Sequence, residues 1–236
     1  MNRKYFLFSH VYRFGWDTMA RNFWFFVGIG LIWFVIKYLP TFIIIALNYA
    51  SLPPMLFIIW RILYYLFNYT FVVILAVGMI KIALSFCNER KPSVGTLFDF
   101  VGCFWRYVGT AILYTLIVLG GLLLFIIPGI IWGIQFGLCF YFVVDKGLNP
   151  IRALKASSRT TKGVKWDLFA FHLINMGIVY LGLLCCFIGV FAAYPIVLVA
   201  QTLVYRQLAA QTPQLAEFEK PAQSLTPNPN WPKSQY

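Results

Sequence analysis

The sequence predicts an all-α integral membrane protein with six transmembrane helices, arranged as three hairpins that each follow a short amphipathic helix at the cytoplasmic surface. Three observations lead to this fold class. The 236 residues are 61% hydrophobic and only 11% charged, whereas a soluble domain is about half apolar and about a quarter charged. The apolar residues form blocks of about 20 residues, the length that a helix needs to cross a bilayer. The blocks come in pairs, and a segment with helical periodicity precedes each pair.

The three predicted hairpins lie at about 23–80, 107–144 and 166–206. In the first hairpin, Lys37 and Pro40 interrupt the first apolar block, and the pair Pro53-Pro54 starts the second, since proline fits the first turn of a helix. Residues 1–208 therefore form one six-span membrane domain. The remaining segment, 209–236, contains five prolines and few apolar residues, so we expect a disordered cytoplasmic tail.

The second hairpin contains the stretch FIIPGIIWGI, residues 125–134. A single helix over 107–144 would be about 57 Å long at 1.5 Å per residue, nearly twice the thickness of the hydrocarbon core. Pro-Gly is a strong turn signal, so the sequence predicts a turn at Pro128–Gly129, within the outer headgroup layer. The return helix, 130–144, is then only about 15 residues long.

A short helix along the inner surface is predicted before each hairpin, at 9–22, 93–107 and 149–163. The third has Asn149 at the N-cap and Pro150 at the first helical position, and it ends at Gly163. On an ideal helix four basic side chains fall within an arc of about 80°. We call these residues the basic stripe: Arg152, Lys155, Arg159 and Lys162.

We expect the basic stripe to be a solvated face that lies against anionic lipid of the cytoplasmic leaflet. Each basic residue near such a surface contributes about 1 kcal/mol of attraction, so four would anchor the helix firmly. The alternative is a docking face for an acidic protein partner or for a phosphorylated lipid headgroup.

Lysine and arginine determine the predicted orientation. With the N-terminus inside, the outer loops at 48–54, 128–129 and 185–189 contain no charged residue. The basic residues then fall on the inner side, with Lys37 and Arg61 as the two departures. Both termini are therefore expected in the cytoplasm. The net charge of +12 follows from the same rule, and no nucleic acid partner is predicted.

A distinctive pattern covers residues 126–171: a Pro-Gly pair, a short helix, the run V-D-x-G-x-x-P-x-x-A-L-x-x-S-x-x-x-T-x-G, and a tryptophan that opens the next span. The matching residues of the run are Val144, Asp145, Gly147, Pro150, Ala153, Leu154, Ser157, Thr161 and Gly163. This pattern resembles uncharacterised bacterial integral membrane families, which include the membrane domain fused to some glycerophosphodiester phosphodiesterases. The resemblance implies six spans and a bacterial cytoplasmic (inner) membrane. It implies no catalytic residues, because the fused phosphodiesterase carries its chemistry in a separate soluble domain.

Few residues could support catalysis or bind a metal ion. The acidic residues fall at the edges of the spans or in the tail, and the five cysteines show no metal-binding spacing. The strongest catalytic candidate is His172 with Asp167 and Asn175, but a histidine that is hydrogen-bonded between helices is the favoured interpretation. We predict no catalytic residue, no metal site and no cofactor.

Lys37 and Arg61 form a candidate outer-leaflet anion site. Counted from the 48–54 loop, both lie roughly 10–15 Å inward on neighbouring helices, where two cations could hold a lipid phosphate. The favoured alternative is that each side chain extends outward to the headgroups. In a further alternative, Pro40 ends the first span early and leaves 41–53 at the interface.

The favoured function is therefore a non-catalytic multi-pass inner-membrane protein that acts in membrane organisation, lipid handling or assembly with partners. Its partners would be anionic lipids and a membrane-protein partner. The alternative is a pore or transporter for a lipid or a small amphiphile. Ion-coupled transport is disfavoured because no aspartate or glutamate lies in the middle of a span. A membrane enzyme that uses Asp167 and His172 is the third hypothesis.

Overall fold

The computed structural model describes residues 4–49, 53–88, 95, 102–184, 188–215 and 218. Within these residues every regular element is a helix, and a short 3₁₀ helix, Pro213–Leu215, follows the last α-helix. The α-helices are α1 (Phe8–Arg21), α2 (Phe23–Tyr49), α3 (Pro54–Cys87), α4 (Phe104–Leu124), α5 (Ile126–Phe136), α6 (Cys139–Lys146), α7 (Pro150–Thr161), α8 (Lys165–Leu184) and α9 (Ile188–Ala210).

Six stretches of the described chain are long and apolar enough to cross a membrane. They are Phe23–Phe42, Ile58–Cys87, Phe104–Leu124, Ile126–Lys146, Lys165–Leu184 and Gly189–Ala210. The predicted class, an all-helical multi-pass membrane protein, is confirmed at this level.

Helix α9 lies at the centre of the packing. Helices α1, α3 and α8 all pack against it, and Val204, Tyr205 and Leu208 are fully buried. The first core joins α6, α7 and α8 to the C-terminal half of α9, and the second joins α1, α2 and α3 to the middle of α9. Since α9 contributes to both cores, it connects the elements that precede and follow the second hairpin.

The turn of the second hairpin lies earlier than the sequence predicted. Helix α4 ends at Leu124, Phe125 is extended (φ −162°, ψ 150°), and α5 begins at Ile126, so Pro128 and Gly129 belong to the first helical turn of α5. The prediction of a turn at Pro128–Gly129 was wrong. The N–H groups of a first helical turn have no acceptor within the helix, so proline, which lacks this N–H, fits there without loss of a hydrogen bond.

Gly129 serves a close approach between helices instead of a turn. A Cβ atom at this position would lie 2.8 Å from the backbone nitrogen of Leu122, and one at Gly121 would lie 2.9 Å from the Cα of Gly129. Nearer the start of α4 and the end of α5, the Tyr114 hydroxyl donates to the Gly133 carbonyl at 3.2 Å. These pairs run in opposite order along the two helices, so α4 and α5 pack antiparallel.

Several predicted boundaries differ from the structure. The fourth span was predicted as one helix over 130–144, but it runs over Ile126–Lys146 and is interrupted at Gly137–Leu138. Helix α3 continues beyond residue 80 to Cys87. The predicted disorder from residue 209 was wrong for 209–215, since α9 reaches Ala210 and Leu215 is buried. The rest of the predicted tail, apart from Phe218, lies outside the described residues.

Two other predicted segments fall largely or partly outside the described residues. Of the second surface helix, 93–107, only residue 95 and residues 102–107 are described, and Phe104 to Tyr107 already belong to α4. The predicted third turn at 185–189 is described only from Ile188 onward.

Helices α2 and α3 expose the C-terminal half of α2 and the N-terminal half of α3. The buried side chains described in α2 are Phe26 and Ile29, and those described in α3 begin only at Val73. The halves that meet at residues 49–54 therefore present apolar side chains to their surroundings. Lys37 and Arg61 both lie in this exposed part of the pair.

Gly129→Ala should destabilise the α4–α5 contact, because the added methyl group meets the backbone of Leu122. We expect the free energy of unfolding in detergent micelles to fall by about 1–3 kcal/mol. The matched control is Gly177→Ala, where nothing lies within 4 Å of the added Cβ and alanine favours the helix by up to about 1 kcal/mol. Equal stability of the two variants would contradict the proposed contact.

Candidate functional site

The segment from α6 to α7 holds the residues of the run that begins at Val144. At its start, both carboxylate oxygens of Asp145 contact α9: the Tyr205 hydroxyl donates to Oδ2 at 2.8 Å, and Arg206 Nη2 lies 3.3 Å from Oδ1. The side chain of Asp145 is only 16% exposed. Asp145 therefore fixes the end of α6 to the end of α9.

The link between α6 and α7 turns at Gly147, which has φ +61°, a left-handed conformation that glycine adopts without strain. Arg106 Nη1, at the start of α4, donates to the Gly147 carbonyl at 2.6 Å. Pro150 is the first residue of α7, and Asn149 occupies the N-cap position. The prediction of Asn149 as the N-cap residue is confirmed by its backbone, which is in the cap conformation, although its side chain makes no capping hydrogen bond.

One face of α7 is buried, and its hydroxyl groups bind the end of α5. The buried residues are Ala153, Leu154, Ala156, Ser157, Thr160 and Thr161. Ser157 Oγ donates to the Gln135 carbonyl at 2.8 Å, and Thr161 Oγ1 reaches the same carbonyl at 3.2 Å. This carbonyl lies just before the interruption of the fourth span, where it has no helical partner of its own.

The side chain of Gln135 completes this polar cluster. Its Nε2 donates to Ser158 Oγ at 2.7 Å, and its Oε1 accepts from Lys165 Nζ at 2.5 Å. Because Lys165 is the first residue of α8, the cluster joins α5, α7 and α8. A half-buried amide whose oxygen and nitrogen both have partners suits a helix interface in an apolar surrounding.

The N-terminal segment binds the C-terminal end of α7. Lys4 Nζ donates to the carbonyls of Arg159 at 2.8 Å and of Thr160 at 3.0 Å, where a cation also complements the helix dipole. Burial lowers the pKa of Lys4 from its usual value. The neighbouring residue, Tyr5, exchanges two backbone hydrogen bonds with the amide of Gln211 at 3.0 and 2.8 Å, and α7 ends before Gly163, which has φ +93°.

Of the basic stripe, Arg152 and Lys155 are exposed on the side of α7 opposite its buried face. Lys162 is also exposed, but it is the C-cap residue after the end of α7 and has an extended backbone (φ −63°, ψ 123°). Arg159 is half-buried, and its guanidinium carbon lies 4.7 Å from the centre of the Phe218 ring. The contacts on the buried face determine which way the stripe points. We call the end of the bundle formed by Arg106, Asp145, Arg206 and the stripe the basic end.

Lys37 and Arg61 lie away from the basic end, on α2 and α3. Lys37 Nζ stands 4.6 Å from the centre of the Trp33 ring, and Thr41 Oγ1 contacts the Tyr64 hydroxyl at 2.8 Å. Lys37 lies four residues before Thr41 on α2, and Arg61 lies three residues before Tyr64 on α3. Because the chain runs in opposite directions along the two helices of a hairpin, these steps lead away from each other, and the two residues are about 10 Å apart along the helix axis. An anion site between them stays a prediction.

The catalytic candidates on α8 do not share one site. His172 Nδ1 pairs with the Leu168 carbonyl at 2.8 Å, one turn back on the same helix. Asn175 accepts from the Tyr12 hydroxyl of α1 at 2.7 Å, and burial raises the pKa of Tyr12. Asp167 is five residues from His172, about 140° around the helix. Among the described residues no group of histidine, cysteine and acidic side chains is arranged to hold a metal ion.

Sequence reasoning missed three residues that position this site: Lys4, Tyr205 and Arg206. All three bind partners that are distant in sequence. Lys4 and Arg206 were expected on the inner side with the other basic residues, but no partner was predicted for either. Gln135 gave a signal, since a glutamine inside an apolar block indicates a contact between helices. Its partners on α7 and α8 were not predicted.

The chain is similar to uncharacterised proteins of Mycobacterium bovis and of two strains of Mycobacterium tuberculosis. Each is 26% identical over 168 residues, which cover 71% of this chain and 50% of the relative. The chain thus spans about half the length of the curated relatives it matches. No family model matches the chain, and no solved structure matches it significantly. The relatives assign no activity, and the resemblance to the membrane domain of the phosphodiesterases stays a prediction.

Thr161→Val should destabilise the protein, because it removes a hydroxyl that binds the Gln135 carbonyl while keeping the shape of the side chain. Because Ser157 still donates to that carbonyl in the variant, we expect a loss of about 0.5–1.5 kcal/mol in the free energy of unfolding, measured in detergent micelles. Thr115→Val on α4 is the matched control, since Thr115 is exposed. If both variants unfold at the same denaturant concentration, the contact contributes nothing.

Proposed function

We propose that this chain is a non-catalytic protein of the bacterial cytoplasmic membrane that holds anionic lipid at its basic stripe and acts in membrane organisation or lipid handling, alone or with a membrane-protein partner. One observation carries the proposal. Hydrogen bonds to α5 and to the N-terminal segment hold α7 in place, so Arg152 and Lys155 on this helix, with Lys162 at its C-cap, form an exposed row of cations on a fixed backbone.

A fixed row of cations suits a lipid surface for a physical reason. Anionic headgroups attract lysine and arginine within a Debye length of the membrane, by about 1 kcal/mol for each residue. A stripe on a helix that is already packed loses little further conformational freedom when lipid binds. The acidic residue nearest to α7 in sequence, Asp145, is engaged with Tyr205 and Arg206 and does not offset the stripe.

The same proposal includes the topology of three hairpins with both termini in the cytoplasm. The antiparallel packing of α4 and α5 and the contact between Thr41 and Tyr64 support pairs of neighbouring spans. The basic end contains the N-terminal segment, which binds α7 through Lys4, and the end of α9, where Gln211 binds the backbone of Tyr5. Cytoplasmic loops carry an excess of basic residues, which supports this end as the cytoplasmic one.

Reporter fusions test the orientation. Fused after residue 236, green fluorescent protein should fluoresce and alkaline phosphatase should be inactive, because the first folds in the cytoplasm and the second only in the periplasm. The same pair fused before residue 1 examines the other terminus. An active phosphatase at either end would overturn the proposed topology.

Arg152→Gln with Lys155→Gln should reduce the anionic lipid that the protein retains. For two basic residues we expect a loss of about 2 kcal/mol, or roughly 30-fold in the binding constant. The measurement is native mass spectrometry of protein released from nanodiscs of equal parts phosphatidylcholine and phosphatidylglycerol.

The matched control for this experiment is Arg13→Gln with Arg21→Gln on α1, which removes the same charge from exposed positions. Asp17 lies four residues from each of these arginines and partly balances them, so a smaller loss of phosphatidylglycerol is expected. An equal loss in both variants would mean that overall charge, and not the stripe, retains the lipid.

Passage of a lipid or small amphiphile between the hairpins is the second candidate function. The observation that favours it is the interruption of the fourth span at Gly137–Leu138, since interrupted helices frame binding sites in transporters. However, the side chain and carbonyl of Gln135, beside the break, are bonded to Ser157, Ser158, Thr161 and Lys165. The chain thus satisfies its own polar groups there, and we rank this function second.

A further inference from the structure

Helix α3 is long enough to cross both headgroup layers of a membrane as well as the hydrocarbon core. It has 34 residues, whereas α4 has 21 and α8 has 20. At 1.5 Å per residue α3 measures about 51 Å, while the hydrocarbon core is about 30 Å thick and the whole bilayer about 40–45 Å. The side chains of α3 therefore have to indicate which part of the helix lies in the core.

Two charged residues bound an uncharged stretch of α3 that matches the thickness of the core. Residues 62–80 carry no charge, with Arg61 before them and Lys81 after them. The separation of these two cations corresponds to about 30 Å along the helix axis. At the average tilt of about 20° a helix crosses the core in about 21 residues, which, counted from Lys81, ends at Trp60. A core that extended to Pro54 would require a tilt of about 40°, the extreme of the observed range.

The amphipathic aromatic residues of α3 lie at the same level as Arg61. The tryptophan and the three tyrosines of this helix all fall between residues 60 and 69, and residues 70–87 contain neither type. Trp60 is 50% exposed and Tyr65 is 59% exposed, so lipid can reach both side chains. Tryptophan and tyrosine are enriched where the hydrocarbon meets the headgroups. Their positions therefore indicate, independently of the charges, that a membrane boundary lies near Arg61.

The side chains of Arg61 and Lys37 lean in opposite directions. A side chain on an α-helix leans toward the N-terminus of that helix. Helix α3 begins beside the 49–54 segment, so Arg61 leans toward this segment. Helix α2 begins at the other end of the hairpin, and Lys37 Nζ stands 4.6 Å from the centre of the Trp33 ring, one turn nearer to the start of α2. This geometry favours separate environments for the two cations over one anion held between them.

From these observations we infer that Arg61 binds the phosphate of a phospholipid in the leaflet opposite the basic end, with Trp60 and Tyr65 at the ester groups of the same leaflet. Arg61 is exposed, and the planar fork of its guanidinium matches the oxygens of a phosphate group. Residues 54–60 then cross the headgroup layer. The inference goes beyond the proposed function, which concerns the basic stripe, and it uses the proposed topology only to name this leaflet as the outer one.

Cysteine labelling tests the depth of Arg61. Ile58→Cys and Leu66→Cys change exposed residues that lie about 12 Å apart along α3, and an impermeant maleimide is added to intact cells that express the full-length variants. We expect at least tenfold more labelling at residue 58 than at residue 66, because the reaction needs a thiolate in water. The unsubstituted chain gives the background from its own five cysteines.

The other outcomes of the labelling are equally informative. If neither residue is labelled in intact cells or in inverted vesicles, residue 58 lies in the hydrocarbon core and the inference is overturned. Equal labelling of both residues also overturns it, because the membrane boundary then lies nearer to the middle of α3. Labelling of residue 58 only in inverted vesicles would overturn the proposed topology and leave the depth of Arg61 standing.

Arg61→Gln should weaken the binding of phosphatidylglycerol about fivefold at one site, the effect of one basic residue near a headgroup layer. Phosphatidylglycerol is the probe because its headgroup contains no cation that competes with Arg61. The measurement is native mass spectrometry of the full-length protein released from nanodiscs of equal parts phosphatidylcholine and phosphatidylglycerol.

The matched control for this variant is Lys37→Gln, which removes the same charge from the same hairpin. Because Lys37 leans onto Trp33 and away from the headgroups, we expect the control to bind phosphatidylglycerol as the wild type does. Wild-type binding in Arg61→Gln, or an equal loss in both variants, would overturn the inference. Neither result affects the proposed function, which is tested separately by Arg152→Gln with Lys155→Gln.

Discussion

The fold depends on how the chain satisfies the carbonyl groups at three consecutive helix ends. The last carbonyls of a helix have no partner within it, so donors from elsewhere must bind them. At the end of α5, Ser157 and Thr161 bind the carbonyl of Gln135. Arg106 binds the first carbonyl after α6, and Lys4 binds the last carbonyls of α7. Every donor comes from another element, so a local requirement determines the tertiary arrangement.

The orientation of α7 follows from these bonds. Its hydroxyl face must point towards the break between α5 and α6, and its opposite face then points away from the bundle with the basic stripe on it. The contact of Asp145 with Tyr205 and Arg206 holds the start of the same segment against α9. The run that begins at Val144 is thus mainly architectural: Gly147 makes the turn, Pro150 starts the helix, and the hydroxyl groups bind the break. The residues between these positions, Arg152, Lys155 and Arg159, carry the positive charge on which the proposed function rests.

The sequence is sufficient to predict the class and the number of spans, because blocks of apolar residues have few other uses. It does not place the turn of the second hairpin, since Pro128 is equally compatible with the first turn of a helix and Phe125 carries no turn signal. The interruption at Gly137 is hidden for a similar reason, as the residues on both sides are apolar. The partners of Gln135 and of Arg159 depend on contacts across 22 and 155 residues, and local periodicity contains no information about such pairs.

The same use of cations at helix ends makes the basic end rich in positive charge. Lysine and arginine can pair with carboxylates, which neutralises their charge, or donate hydrogen bonds to carbonyls, which does not. Lys4 and Arg106 are engaged with carbonyls, which are neutral, so these bonds do not cancel their charge. The carboxylate of Asp145 is shared between a neutral hydroxyl and Arg206, and the exposed cations of the stripe lie on a different face. A helix-rich membrane domain that binds its helix ends with cations therefore accumulates positive charge there, and this is why we propose an anionic lipid surface as its partner.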